Sequence, residues 1–231
     1  MQQIAAVILA RMSSSRLPGK PLQLVQGLTM LECIVERLGR TQPLGLRPIL
    51  ATSTDPTDDV LARAGLDLGI EVFRGDREDV LGRFVGAAQA FNARYAARVN
   101  GDSPLLEPTL MKEAVEFLQS SENKPVLVSS KPNDHLPYGV SVEVADVNYL
   151  EAIHASCGEA DREHVTSVLY RVLRSSQVAK VGTHMPRRPS LSLAVDNFAD
   201  LQRINQFVRS SGLGVTEVSY WDLPTRSVEG E

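Results

Sequence analysis

Short runs of β-branched and aliphatic residues alternate with segments of helical periodicity through the first half of this chain, and that alternation restricts its fold more than any other feature. Ile4–Leu9 reads as a buried strand. Thr29–Arg40 follows as a helix, with Met30, Leu31, Ile34, Val35 and Leu38 at helical spacing. Pro48–Thr52 is a second strand, and Pro56 suits the first turn of a helix reaching Leu68. Glu71–Phe73, Tyr95–Val99 and Val126–Ser129 are further strands, separated by helices over Glu78–Phe91 and Pro108–Leu118. Such a β-α-β-α order predicts an α/β fold: a mostly parallel sheet, Rossmann-like, with helices on both faces. The second half is less regular. Lys131–Tyr138 reads as a loop and Gly139–Val144 as a weakly alternating strand. Asn148–Ala155 and Glu163–Arg174 read as helices, Val178–Val181 and Leu191–Val195 as strands, and Phe198–Arg209 as a closing helix. No linker divides residues 1–224, so one domain is expected, with residues 131–175 an excursion from the main sheet and Thr225–Glu231 a frayed polar end.

Composition excludes several classes. The 231 residues carry a net charge of −4, which argues against bulk affinity for nucleic acid or a membrane surface. Cys33 and Cys157 lie far apart without metal-ligand spacing, so they read as free thiols suited to a reducing cytoplasm. The early apolar run has no basic segment before it and ends at Arg11, which makes it a first strand rather than a leader. No stretch approaches the roughly 18 apolar residues of a membrane span.

The end of the first strand throws three permanent cations, Arg11, Arg16 and Lys20, into one short loop, Ala10-Arg11-Met12-Ser13-Ser14-Ser15-Arg16-Leu17-Pro18-Gly19-Lys20. Guanidinium forks, an ammonium and serine hydroxyls such as Ser13 together suit a polyphosphate. The glycine spacing is not that of a Walker A loop. The alternative is a solvated basic loop. Two aspartates follow apolar runs: Asp102 after Val99-Asn100-Gly101, and Asp196 after Leu193-Ala194-Val195. Residues just past strand C-termini converge on one crevice in an open parallel sheet. Paired carboxylates there suit Mg²⁺, and Gly101 would let the backbone approach a ligand closely. Each aspartate could instead cap the helix after it. Glu143, between Val142 and Val144, must face solvent, a partner or a ligand. Arg162 and His164 stand at the start of an expected helix, where a structural role is equally open. Asp76, Glu78, Asp79 and Arg83 surround another helix start, where acids are favoured anyway.

Taken together, these residues resemble the cytidylyltransferases that make CMP-activated sugar acids, in particular the spore-coat polysaccharide biosynthesis protein F branch, related to the CMP-KDO and CMP-acylneuraminate synthetases. The resemblance spans about residues 4 to 210. It is carried by the basic loop, Ala51-Thr52-Ser53, Phe73-Arg74-Gly75-Asp76-Arg77-Glu78-Asp79-Val80-Leu81, Asn100-Gly101-Asp102-Ser103-Pro104, Arg162-Glu163-His164-Val165-Thr166 and Val195-Asp196, in that order. It implies a nucleotide-diphospho-sugar-transferase-like fold that transfers CMP from CTP to an acidic sugar, nonulosonate or KDO-like, with release of pyrophosphate. Arg11, Arg16 and Lys20 would contact the triphosphate, with Arg11, Lys20 and Asp102 catalytic, and Asp102 and Asp196 would hold Mg²⁺. Cytosine would be read by backbone near Ala10 and by Ser53 and Asn100; Glu143, Arg162 and His164 would serve the acceptor. The resemblance also implies a homodimer paired through residues 131–175. Three positions depart from the branch: Ser103 stands where cysteine is usual, Asn197 where threonine or serine is common, and Tyr138 where arginine is usual. Another acceptor, such as a sugar phosphate, or a catalytically silent nucleotide-binding scaffold are the competing readings.

Overall fold

A computed structural model describes residues 4–41, 45–131 and 135–223. The tail expected to fray, and residues 132–134 of the expected loop, lie outside these. Nine strands and eight α-helices are assigned among the described residues. The strands are β1 (Ile4–Leu9), β2 (Leu24–Val25), β3 (Leu28–Thr29), β4 (Leu46–Ser53), β5 (Glu71–Gly75), β6 (Tyr95–Asn100), β7 (Leu127–Ser129), β8 (Glu143–Asp146) and β9 (Val178–Lys180). The helices are α1 (Met30–Gly39), α2 (Asp59–Asp67), α3 (Val80–Ala90), α4 (Pro108–Ser120), α5 (Val147–His154), α6 (Glu159–Glu163), α7 (Leu169–Val172) and α8 (Phe198–Ser211).

Seven strands form one sheet in the order β5-β4-β1-β6-β8-β7-β9. The β5-β4-β1-β6 half is parallel throughout, and β8 runs antiparallel to both of its neighbours. Helices cover both faces. One apolar cluster packs α1, α4 and α8 on one side, and a second packs α3, α5 and α7 on the other. β1 lies at the centre, with Ala6, Val7 and Ile8 fully buried. Burial of a side chain the size of Ile8 stabilises by about 1.5–3 kcal/mol, which is why an uninterrupted apolar run seats itself here.

Register decides what meets at the edge. Leu9 pairs with Ala51 on one side and Asn100 on the other, so the chain leaves β1, β4 and β6 at one level. Gly101 is required by that closeness. A Cβ there would stand 2.7 Å from the Ala10 Cβ and 2.9 Å from the Leu9 carbonyl oxygen, and the Gly101 N–H donates to that oxygen at 2.9 Å. The close approach is thus to the protein's own first strand.

Four expectations are corrected. The strand carrying Glu143 is no excursion: β8 sits inside the main sheet, between β6 and β7, buried along its length. It begins only at Glu143; Gly139, at φ +98°, lies outside the extended backbone of a strand and crosses close to Ala194. Of the helix expected over Glu163–Arg174 only α7 (Leu169–Val172) forms; α6 has already ended at Glu163, and buried Val165 takes φ 41° between them. That left-handed conformation is costly for a β-branched residue. Leu191–Val195 forms no strand; it hangs on Tyr138 by two backbone hydrogen bonds, Tyr138 N to Leu191 O and Leu193 N to Tyr138 O, and on Asp102 by a third, from Val195 N. The sequence reading also passed over the β2–β3 hairpin, whose Gln26 and Gly27 both have positive φ as a tight hairpin turn demands.

Candidate active site

Two cavities open past the C-terminal ends of β1 and β6 and share a seam. The first, of about 450 Å³, is lined by the basic loop. Arg11, Arg16, Lys20, Arg83 and Arg98 face it against only two carboxylates, Asp102 and Glu163. Ala10 and Ser13 line it too. The second, of about 400 Å³, lies beyond Asp102 and is lined by Lys131, Glu143, Tyr170 and a set of serine and threonine hydroxyls. Arg98, Asn100, Asp102, Tyr138 and His164 line both cavities and form the seam.

The basic loop is held from beneath. Asp58, fully buried in the 3₁₀ turn before α2, accepts from the Met12 N–H at 2.6 Å and from the Ser53 N–H at 3.1 Å. The Ser53 hydroxyl donates to the same carboxylate. Ser53 lines neither cavity; the reading of it as a base contact is corrected to a support of the loop, because its hydroxyl donates to Asp58 and accepts from the Asp55 N–H at 3.2 Å. Gly19, in the left-handed conformation at φ +65°, donates back to the Met12 carbonyl and closes the loop. Arg11 reaches the Arg77 carbonyl at 3.4 Å and lies 4.0 Å from Glu163.

Asp102 hangs on β6 through Gly101, and the Ser103 hydroxyl donates to it at 3.1 Å. Burial raises its pKa above the ordinary aspartate value; Lys20 pulls it down, and the charge of Asp196 adds to the rise. Asp196 reaches this region without a strand of its own. The Val195 N–H donates to the Asp102 carbonyl at 2.8 Å, which ties the segment carrying Asp196 to the one carrying Asp102. Asp196 does not cap α8. Asn197 does, in a reciprocal capping box with Asp200, which also accepts from the Asp196 N–H at 2.9 Å. One oxygen of Asp196 accepts from Arg16 at 3.1 Å and from Lys20 at 3.3 Å. The Tyr138 phenol is pushed above its ordinary pKa by partial burial and then by the charges of Asp102 and Asp196.

Glu143 is satisfied within the chain. Arg98 and Lys131 both donate to its Oε2 at 3.3 Å, and Tyr170 donates to Oε1 at 2.7 Å. Arg98 also reaches the Thr166 hydroxyl at 3.3 Å, and its Nε is buried without a partner among the described residues. Burial alone would raise the Glu143 pKa, but Lys131 and Arg98 outweigh it and hold the carboxyl below the ordinary value of 4.5. Stability from this charge is therefore complete above pH 4.5 and lost as pH falls through the lowered value. Glu143→Gln should destabilise the protein by about 2–3 kcal/mol at pH 7, less than a fully buried pair because Lys131 is partly exposed. Urea melts at pH 7 and pH 3.5 check it: the deficit should shrink at the lower pH, and equal stability at pH 7 would count against the network.

Arg162 is corrected. It sits in the last turn of α6, donates to the Cys157 carbonyl at 3.2 Å and lines neither cavity of the site. His164 follows that helix rather than starting one, and does reach the seam. Four contributors escaped the sequence reading as site residues: Asp58, Arg98, Lys131 and Tyr170. Arg98 carried a legible signal, a lone cation in the middle of an apolar strand. Arg83, read as part of a polar helix start, is buried and faces the first cavity.

Comparison with known proteins follows this geometry. The family model described as cytidylyltransferase matches residues 5–198. The chain is 31% identical over 225 residues to the spore coat polysaccharide biosynthesis protein SpsF of Bacillus subtilis, covering 92% of this chain and 89% of that protein. Among solved structures it resembles a cytidylyltransferase from Leptospira borgpetersenii, with a TM-score of 0.86 at 22% identity over 96% of this chain and 92% of that one. It also resembles a CMP:2-keto-3-deoxy-manno-octonic acid synthetase complexed with CTP, with a TM-score of 0.66 at 17% identity over 92% of this chain and 100% of that one. The matched span runs from β1 through the basic loop and both aspartates into α8, and so the chain belongs to the cytidylyltransferase family.

Proposed function

We propose that this enzyme transfers CMP from CTP to an acidic sugar, nonulosonate or KDO-like, with release of pyrophosphate, in surface polysaccharide synthesis. The observation that carries the reading is the pair of cavities joined at Asp102. The first has the cation excess a triphosphate needs. The second sets Arg98 and Lys131 among Glu143, Asp102 and the hydroxyls of Ser103, Ser141, Thr166, Ser167, Tyr138 and Tyr170. Those hydroxyls match a polyol, and Arg98 and Lys131 are the donors for a carboxylate on it. A sugar-acid synthetase and a polysaccharide biosynthesis protein among the similar chains support the same direction.

In this reading Arg11, Arg16 and Lys20 hold the triphosphate in the first cavity and Asn100 and the backbone at Ala10 face the base. The acceptor lies in the second cavity, and its hydroxyl is brought to the α-phosphorus across the seam. The O–P bond forms as the bond to the pyrophosphate oxygen breaks, and the loop cations balance the charge on the leaving group. Asp102 and Asp196 offer only oxygen donors, and burial leaves Asp102 in want of a counter-charge, which fits Mg²⁺ or Mn²⁺. No group of three histidine, cysteine or acidic side chains that could cage a metal occurs among the described residues, so phosphate oxygens and water would complete the shell. Bound there, the ion would supply charge neutralisation at the phosphates.

The test is acceptor-dependent pyrophosphate release from CTP. KDO or N-acetylneuraminate should support it and sugar 1-phosphates should not; the reverse pattern would overturn the acidic-sugar reading. We further propose a homodimer through the stretch 131–175. Its support is the exposure of Tyr170 and Val172 on α7, next to the edge strand β9 that follows the stretch, an edge that proteins normally cover. Light scattering should give twice the 25.2 kDa chain mass; a monomer with full activity would remove it. No helix among the described residues is long and apolar enough to cross a membrane.

A further inference from the structure

We infer that His164 is the general base of the transfer: its imidazole takes the proton of the acceptor hydroxyl as that oxygen bonds to the α-phosphorus. The inference rests on the reading of the two cavities as nucleotide and acceptor sites. Acceptor and nucleotide must then meet at the seam, which is lined by Arg98, Asn100, Asp102, Tyr138 and His164. A guanidinium and an amide take up no proton near neutral pH. Tyr138, held above the ordinary phenol value of 10.0, already carries its own. Asp102 is the candidate metal ligand. Of the seam residues only the histidine is left, and an imidazole both accepts and releases a proton near pH 7.

Its surroundings set His164 apart from the other three histidines. His135 Nε2 lies 3.1 Å from the Gly182 carbonyl, His154 Nε2 2.7 Å from the Asp79 carboxylate, and His184 Nδ1 3.9 Å from Glu113. The exposed His164 ring has no hydrogen-bond or ion-pair partner among the described residues. Its backbone, by contrast, is fixed on both sides. The His164 N–H donates to the Ala160 carbonyl at 3.2 Å, and the His164 carbonyl accepts from the Ser167 N–H at 3.1 Å. The next residue, Val165, is fully buried at φ 41°. A β-branched residue holds that conformation only where its surroundings enforce it, and such strain gathers at functional sites. Here it sinks Val165 into the core between two residues of the site, His164 in the seam and Thr166, whose hydroxyl accepts from Arg98 at 3.3 Å. In the step itself the hydroxyl proton passes to a free imidazole nitrogen as the bond from oxygen to the α-phosphorus forms. The bond from the α-phosphorus to the bridging oxygen breaks, and its electron pair leaves on pyrophosphate. The imidazolium then gives its proton to water.

The experiment is a pH profile of kcat for pyrophosphate release at saturating CTP, Mg²⁺ and KDO or N-acetylneuraminate, in wild type and in His164→Gln. Wild-type kcat should fall on the acid side as the base becomes protonated. His164→Gln keeps a hydrogen-bonding side chain that cannot carry the proton. It should lower kcat by at least about 10²-fold, lose the acid limb and leave the acceptor KM within about threefold. His164→Ala should be as slow and regain activity with free imidazole. Other charged groups line the same cavities. Toward the nucleotide they are Arg11, Arg83 and Glu163, and toward the acceptor Lys131, Glu143 and Tyr170. Glu143 is ionised above its lowered value and Tyr170 is held above the ordinary phenol range. Asp102 and the rest are present in both proteins, so a limb lost on substitution belongs to the imidazole. Full kcat in His164→Gln, or a loss confined to the acceptor KM with the limb intact, overturns the inference and leaves the two-cavity reading standing. Wild-type turnover with sugar 1-phosphates and not with sugar acids overturns both, because a phosphate oxygen attacks without giving up a proton.

Discussion

Asp102→Asn should lower turnover by at least about 10²–10³-fold while the protein keeps its fold, the scale expected when one electrostatic contact to the reacting phosphate is lost. Asparagine keeps the shape and an oxygen for the Ser103 hydroxyl. The Asp102 carbonyl, which accepts the Val195 N–H and aligns the Asp196 segment, is backbone and survives the change. What goes is the negative charge that burial has made costly to keep and that Lys20 and a bound divalent cation would each stabilise. Steady-state kinetics at saturating CTP and Mg²⁺, with a thermal melt on the same preparation, read the two parts separately. Near-normal turnover would remove Asp102 from the chemistry.

Asp58→Ala should cost about 3–5 kcal/mol of stability and weaken CTP binding as well. The side chain is 1% exposed and carries three hydrogen bonds: from the Met12 N–H, the Ser53 N–H and the Ser53 hydroxyl. Truncation leaves two backbone donors and a hydroxyl facing a void, each unmet buried group costing about 1–3 kcal/mol. The Met12 bond is the one that matters for function, because it holds the basic loop just beyond Arg11. Urea denaturation and CTP calorimetry on the folded fraction check the two effects. Wild-type behaviour in both would mean that the loop is held elsewhere.

That second prediction also marks where the sequence stops being readable. β1, α1, α3, β6 and α8 lie close to their expected positions, because their burial pattern is periodic and their ends carry recognisable caps, Thr29 with Glu32 and Asn197 with Asp200. The basic loop, Asp102 and Asp196 were legible because each follows an apolar run, and the resemblance to known cytidylyltransferases tied them to one chemistry. Asp58 was not, since an acid in the first turn before a helix is what any helix prefers; only its contact with Met12, across 46 positions, reveals its work. Arg98, Lys131 and Tyr170 meet only through Glu143, from four separate segments, and no local pattern encodes that meeting. Propensity failed at Val165 and at Leu191–Val195 for one reason. Tertiary contacts, Thr166 to Arg98 and Leu193 to Tyr138, set the backbone there against its local preference.

The central claim is that one cavity holds the nucleotide over the basic loop, the adjoining cavity holds the acceptor, and a metal held by Asp102 and Asp196 stands where they meet. A crystal structure of the protein with CTP and Mn²⁺, with the metal located by its anomalous signal, tests this most directly. The account predicts a manganese peak within bonding distance of both carboxylates, the triphosphate on Arg11, Arg16 and Lys20, and the cavity around Arg98 and Lys131 left open beside the α-phosphate. A nucleotide seated in the Arg98–Lys131 cavity, or a metal that touches neither aspartate, would contradict it.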